Sequence, residues 1–171
     1  MTQWVDQLKD GLPDYAKDTK LNIDAVIKRS TLPQEEAEAV ALAAAFATGN
    51  GKLVQFIQNS LTDAKERDAA LTAGSIMAQN NVWYPYVEMA DDPQLKGLPA
   101  QLRINAITSH GGTTKERFEA YSLAASIVGK CEFCVGAHYS SLKQLGYSVE
   151  QLRDIGRIAA VMNSVAKVLN S

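Results

Sequence analysis

Cys131 and Cys134 are the only cysteines in the 171 residues, and they form a C-x-x-C unit with His138 four residues beyond the second. On a helix, steps of about 100° per residue bring Cys134 and His138 within about 40° of one another and Cys131 within about 60° of both. A thiol attacks as its thiolate, which a neighbouring imidazole base and a helix N-terminus both favour. Gly129-Lys130 ahead of the pair predicts a helix over 131–145 with both sulfurs in its first turn. The combination points to dithiol–disulfide catalysis. Two other readings of the same residues stay open. One is a zinc site with Cys131, Cys134 and His138 as ligands and His110, the only other histidine, as a fourth. The other is a pair of small apolar thiols buried beside a hydrogen-bonded histidine. A c-type haem is excluded, because Val135 rather than histidine follows the second cysteine, and a thioredoxin fold would need a strand before the motif where the pattern is helical.

Glu119 adds a carboxylate to this set. It lies in the preceding helical stretch among Phe118, Ala120, Tyr121, Leu123, Ala124 and Ala125. An inward-facing carboxylate must be paired or protonated, and an imidazole on the next helix would pair it, giving a relay from Glu119 through His138 to cysteine. The alternative is a solvated glutamate on a helix surface.

The elements that must hold these residues read as helices throughout. Residues 34–48 are alanine-rich with acidic residues at the N-terminal end, which suits the helix dipole. Capping-box spacing recurs at Thr31 and Gln34, Thr113 and Glu116, and Ser148 and Gln151. Gly49 and Gly51 around Asn50, Gly111-Gly112, and Gly146 are suited to left-handed stops. In the last helix Val149, Leu152, Ile155, Ala159, Met162, Val165, Ala166 and Leu169 make an apolar stripe, with Arg153, Asp154 and Lys167 off it. Pro85, Pro93 and Pro99, with Asp91-Asp92 and Gly97 between them, mark residues 84–99 as the longest connection, a hinge between helical layers. Lys65-Glu66-Arg67 with Ala70 echoes Lys115-Glu116-Arg117 with Ala120 fifty residues on, a faint sign of duplication. Trp4, Trp83, Tyr84 and Tyr86 read as core and subunit-contact residues in preference to a substrate approach.

Composition bounds the rest. At 46% hydrophobic residues, residues 1–171 suffice for a single domain burying about 70% of its unfolded surface. The formal charge of −2 and the lack of a basic cluster interleaved with aromatics argue against a nucleic-acid partner. Met1-Thr2-Gln3-Trp4, soon followed by Asp6, Lys9 and Asp10, is neither a signal peptide nor a membrane span, so the expectation is a cytoplasmic protein without a membrane partner. Two cysteines cannot staple a secreted scaffold.

With these residues in hand, the sequence resembles the alkylhydroperoxidase D (AhpD) family of the carboxymuconolactone decarboxylase-like superfamily. The resemblance runs through Leu12-Pro13-Asp14-Tyr15-Ala16-Lys17-Asp18 with Lys20-Leu21-Asn22, Met77-Ala78-Gln79-Asn80-Asn81-Val82, and Leu102-Arg103-Ile104-Asn105. It culminates in Glu119, twelve residues before the C-x-x-C-x-x-x-His of Cys131, Cys134 and His138. It implies an all-α, compact multi-helix AhpD-like fold assembled as a homotrimer, and an antioxidant thiol peroxidase cycling a Cys131–Cys134 disulfide. Cys134 would be the peroxidatic thiol that passes through a sulfenic acid, Cys131 the proton donor and resolving thiol, His138 the general base and Glu119 the proton relay. Analogy with other disulfide oxidoreductases would instead have Cys131 attack first; the family assignment is followed because Cys134 is four residues from His138.

The resemblance also implies that alkyl hydroperoxides are reduced and that a partner peroxiredoxin, the peroxidase component of alkyl hydroperoxide reductase, is regenerated. The reductant would be dihydrolipoamide carried on a lipoylated acyltransferase, with no metal and no tightly bound cofactor. One position departs from the family: Phe133 stands where well-known members carry histidine. A non-redox lactone decarboxylase of the same superfamily and a helical binding module are the alternative functions.

Overall fold

Alanine dominates the helix around which the others assemble. In the computed structural model, which describes residues 3–171 and so leaves Met1 and Thr2 of the N-terminal reading outside the described residues, Ala37 to Ala45 of α3 (Gln34–Thr48) are all buried. A helix buried on every side lies at the centre of its fold, and α3 is packed by α5 (Ala64–Ala90), α8 (Lys115–Gly129) and α10 (Val149–Leu169). Around these sit α1 (Gln3–Asp10), α2 (Lys17–Ile27), α4 (Gly51–Ser60) and α9 (Glu132–Gln144), with two single-turn helices, α6 (Pro93–Lys96) and α7 (Ala106–Ser109). No strand occurs among the described residues, and none of their helices is long and apolar enough to cross a membrane. The fold is all-α, as expected. One apolar cluster runs from Trp4 and Val5 of α1 through α3 to Ile155, Ile158 and Met162 of α10.

The predicted helix starts are met unevenly. Ser148 and Gln151 form the reciprocal capping box at α10. At α8 the cap is Thr114, whose hydroxyl accepts the Arg117 N–H, one residue beyond the predicted Thr113. Thr113 is diverted because its hydroxyl donates to Glu66 at 2.6 Å. At α3 Pro33 occupies the N-cap with no side-chain cap, and Thr31 instead gives its N–H and hydroxyl to Asp154 at 2.8 and 2.9 Å. Gly49 ends α3 in the left-handed region at φ 75°, whereas Gly51 opens α4 behind the N-cap Asn50, whose side chain accepts the Leu53 N–H. Gly111, Gly112 and Gly146 have positive φ as expected.

The expectation of a hinge over 84–99 is corrected. Residues 84–90 belong to no hinge: α5 continues through Pro85 to Ala90, and the longest non-helical connection is 97–105. Proline removes one N–H donor, and the 27-residue helix retains enough others to run on past it. Asp154, off the apolar stripe of α10, is nevertheless 1% exposed, because it ties the 28–33 connection to α10 through Thr31 and pairs with Arg157 at 2.9 Å. The duplicated tripeptides fall in the first turns of α5 and α8, which pack together.

A second buried polar group lies on the α3–α5–α8 side. Glu66 accepts hydrogen bonds from the Tyr121 and Thr113 hydroxyls and pairs with Arg117 at 3.2 Å, while Glu36 accepts from Tyr147. Burial raises the Glu36 carboxyl above its ordinary range, only partly offset by the Tyr147 hydrogen bond and Arg117. Burial and the adjoining carboxylates likewise push both tyrosine hydroxyls well up, so they remain donors.

For Asp154, burial opposes ionisation but the two Thr31 donors and Arg157 outweigh it, holding the carboxyl below the usual carboxylate range. Asp154→Asn should therefore cost about 2 kcal/mol in urea unfolding at neutral pH. The charge-dependent share is complete above the unfolded carboxyl value of about 3.9 and is lost as pH falls through the lower folded value. The difference between wild type and variant should shrink on acidification; a gap unchanged at the acid limit would assign the effect to shape alone.

Candidate active site

The joint at Gly129 and Lys130 turns α9 back along α8 and brings His138 within hydrogen-bond distance of Glu119. Gly129 ends α8, Lys130 adopts the left-handed conformation (φ 56°), and Cys131 is the N-cap of α9. The predicted helix over 131–145 is thus Glu132–Gln144, with Cys131 as its cap. Its Sγ accepts the Cys134 N–H at 3.3 Å, placing both sulfurs at the N-terminus, where unpaired amides and the helix dipole favour negative charge on sulfur. Cys131 and Cys134 are joined as a disulfide with their Cα atoms 5.3 Å apart. Both residues are buried.

One turn further along α9, His138 Nδ1 lies 2.6 Å from Glu119 Oε2 on α8, with side chains 14% and 15% exposed. The solvated reading of Glu119 does not hold: the carboxylate is largely shielded and bonded to the imidazole. Such a partner orients the ring and selects its tautomer. With Nδ1–H given to the carboxylate, a neutral ring presents its lone pair at Nε2. That atom faces Met77 Sδ at 3.2 Å. Met77, fully buried on α5, therefore packs against the Nε2 edge of the imidazole. One turn along α5, the Asn80 carbonyl is the neighbour of Cys134 Sγ at 3.8 Å.

Sequence reasoning brought Cys131, Cys134, His138 and Glu119 together and missed the part played by Met77 and Asn80. Their three-residue spacing on one helix face was a usable signal; a thioether and a backbone carbonyl carry no chemical signature of their own. His110 follows α7 and faces Phe118, with ring centroids 6.3 Å apart. Among the described residues no three His, Cys, Asp or Glu side chains converge as metal ligands, and the two sulfurs bond one another. The zinc arrangement is not assembled. Trp4 is in the core as expected, but Trp83 and Tyr84 are not: with Phe133 they line a surface cleft beside the start of α9.

Against known proteins, residues 93–171 match the model of the carboxymuconolactone decarboxylase family. The chain is similar to the alkyl hydroperoxide reductase AhpD of Coxiella burnetii (strain RSA 493 / Nine Mile phase I), 41% identical over 94% of this chain and 93% of that protein. It is similar to proteins of the same description from Rhodospirillum centenum, 40% identical over 98% and 91% of the two chains, and from Beijerinckia indica, 36% identical over 98% and 94%.

The joint has one steric condition. A methyl group at Gly129 would overlap the Asn81 carboxamide, which α5 extends to donate to the Ala125 carbonyl at 3.2 Å. Gly129→Ala should cost about 1–3 kcal/mol in chemical unfolding. Combined with Asn81→Ala, which removes the overlapping carboxamide, it should cost less than the sum of the single changes. Strict additivity would mean that the two residues do not set the α5–α8 approach.

Proposed function

The chain belongs to the AhpD family within the carboxymuconolactone decarboxylase-like superfamily, and on that premise we propose that it is a thiol peroxidase reducing alkyl hydroperoxides through its Cys131/Cys134 pair. The observation that carries the reading is the Glu119–His138 pair set one turn beyond a C-x-x-C disulfide at the N-terminus of the same helix. In the reduced state His138, held by Glu119, takes the Cys134 proton. The thiolate attacks the terminal peroxide oxygen, the O–O bond breaks, and the proton passes to the departing alkoxide, giving alcohol and a Cys134 sulfenic acid. The Cys131 thiol then attacks that sulfur, releasing water and closing the disulfide. Hydroperoxide is reduced by two electrons and the dithiol is oxidised by two.

Reopening the disulfide requires an external dithiol. Dihydrolipoamide on a lipoylated acyltransferase is the donor that the family reading supplies, and the peroxiredoxin of alkyl hydroperoxide reductase is the second acceptor that the Cys131/Cys134 pair would re-reduce. The working unit in this reading is a cytoplasmic homotrimer of a single domain spanning residues 1–171, with no bound metal or cofactor.

One equivalent of organic hydroperoxide should remove two free thiols per chain from the reduced protein without crosslinking chains; no loss overturns the reading. In Cys131→Ser a sulfenic-acid probe should label Cys134, and label elsewhere reverses the order of attack. Glu119→Gln and His138→Ala should slow oxidation by about 10²- to 10⁴-fold, with the pH profile of Glu119→Gln displaced from that of wild type. Turnover with dihydrolipoamide, measured with and without the peroxiredoxin, separates the two duties.

A further inference from the structure

Phe133 lies between the two cysteines and is 56% exposed, yet its ring is not free: it stacks on Tyr84 of α5 with centroids 4.4 Å apart and planes inclined by 27°. The stack forms a wall shared by two hollows. One, of 340 Å³, is built from Trp83, Tyr84, Val87, Leu95, Leu98 and Phe133. The other, of 260 Å³, has Tyr84 and Phe133 on one side and extends to Pro85, Met89 and Cys131. The first volume falls at the lower end of small-molecule sites, about 300–1,000 Å³, and the second just below it. Seven of the nine residues around the larger hollow are apolar or aromatic; the other two, Glu88 and Lys96, lie 3.4 Å apart, with Lys96 also bonded to Asp91 at 3.2 Å, so the hollow pairs an aromatic wall with a charged rim held by its own partners.

Resting on the peroxidase reading, we infer that the Phe133–Tyr84 stack is the specificity-determining element of the site, and that the cleft beside Trp83 takes the hydrocarbon part of an aryl or bulky alkyl hydroperoxide. Phe133 is shared with the smaller hollow, which reaches Cys131, the disulfide partner of Cys134, so a hydrocarbon held against its ring leaves the peroxide end directed toward the sulfur pair. A neutral apolar body gains from such a surface through area and ring stacking. Hydrogen peroxide has no such body and gains nothing from it. A histidine at position 133 would bring a hydrogen-bonding group to the wall; phenylalanine gives that up for apolar area. No further chemical step is added: the same peroxide bond is cleaved with the same two-thiol balance, and the cleft alters only which hydroperoxide is held for it.

The test uses pre-reduced full-length protein and reads the second-order rate of thiol loss with hydrogen peroxide, tert-butyl hydroperoxide and cumene hydroperoxide. The wild type should prefer cumene hydroperoxide over hydrogen peroxide by about tenfold or more, and Phe133→Ala should lower that ratio about five- to tenfold. Leu98→Ala, in the cleft but away from the cysteines, should lower it less. Binding is read separately by titrating the disulfide form with 2-phenyl-2-propanol, the alcohol product of cumene hydroperoxide. Fluorescence should change in the wild type, weaken in affinity in Phe133→Ala, and disappear in Trp83→Phe, leaving only the buried Trp4. Equal rates with all three peroxides, or ratios unchanged in the variants, overturn this inference and leave the peroxidase reading standing. A dithiol that no hydroperoxide oxidises overturns both. A change of oligomeric mass in Phe133→Ala with unchanged ratios would assign the cleft to contact between copies of the chain, and would also overturn the inference.

Discussion

Helices approach as closely as the side chains between them allow, and the methyl groups of α3 set that limit for most of this molecule. Because α3 presents alanine to α5, α8 and α10 over much of its surface, these three helices converge on one axis. That convergence is what brings Met77 of α5 and Glu119 of α8 against His138 of α9, and Asn80 of α5 against Cys134. A larger residue at a central alanine would spread the bundle, and the chemistry would be lost before any reacting side chain had been touched. The site is thus a by-product of close packing, in which the reacting groups are few and their spacing is set elsewhere.

Buried charge is managed in three ways. Asp154 is ionised and satisfied by donors on two sides, so it works as a tie between α10 and the 28–33 connection. Glu66 pairs with Arg117, whose charge also reaches Glu36, tyrosine hydroxyls are further donors to both, and burial raises the Glu36 carboxyl. Glu119 faces a single titratable partner, and only that arrangement leaves a proton to be moved. Ties and networks hold charge still. The pair at the cysteines is the one poised to change it.

Much of this was legible because helical phase is simple. A step of about 100° per residue is enough to place Cys134 and His138 on one face, and the cap at Ser148 could be read from four letters. What escaped depends on contacts between segments far apart in the chain. Thr31 has the spacing of a cap and is instead claimed by Asp154, 123 residues away. Pro85 has the look of a break, yet α5 carries it without stopping. Glu119 could be read as buried or solvated from its neighbours, since α8 is buried on nearly all sides and apolar neighbours do not identify the face that a partner covers. Met77 is silent in sequence because methionine is ordinary core material until an imidazole is set against it.

The joint between α8 and α9 places its two residues in an instructive order. Gly129, the residue with the freer backbone, lies inside the helical hydrogen-bond ladder, where its flexibility is suppressed and only its small size is used. Lys130, the stiffer residue, takes the left-handed corner, where glycine is the usual choice and a β-carbon costs roughly 1 kcal/mol. Mechanically, this is a hinge pin made from the harder material. The orientation of α9 relative to α8, and with it the registry of imidazole to carboxylate, is held by a corner with few alternative shapes, so stiffness at a single residue guards a geometry that spans both helices.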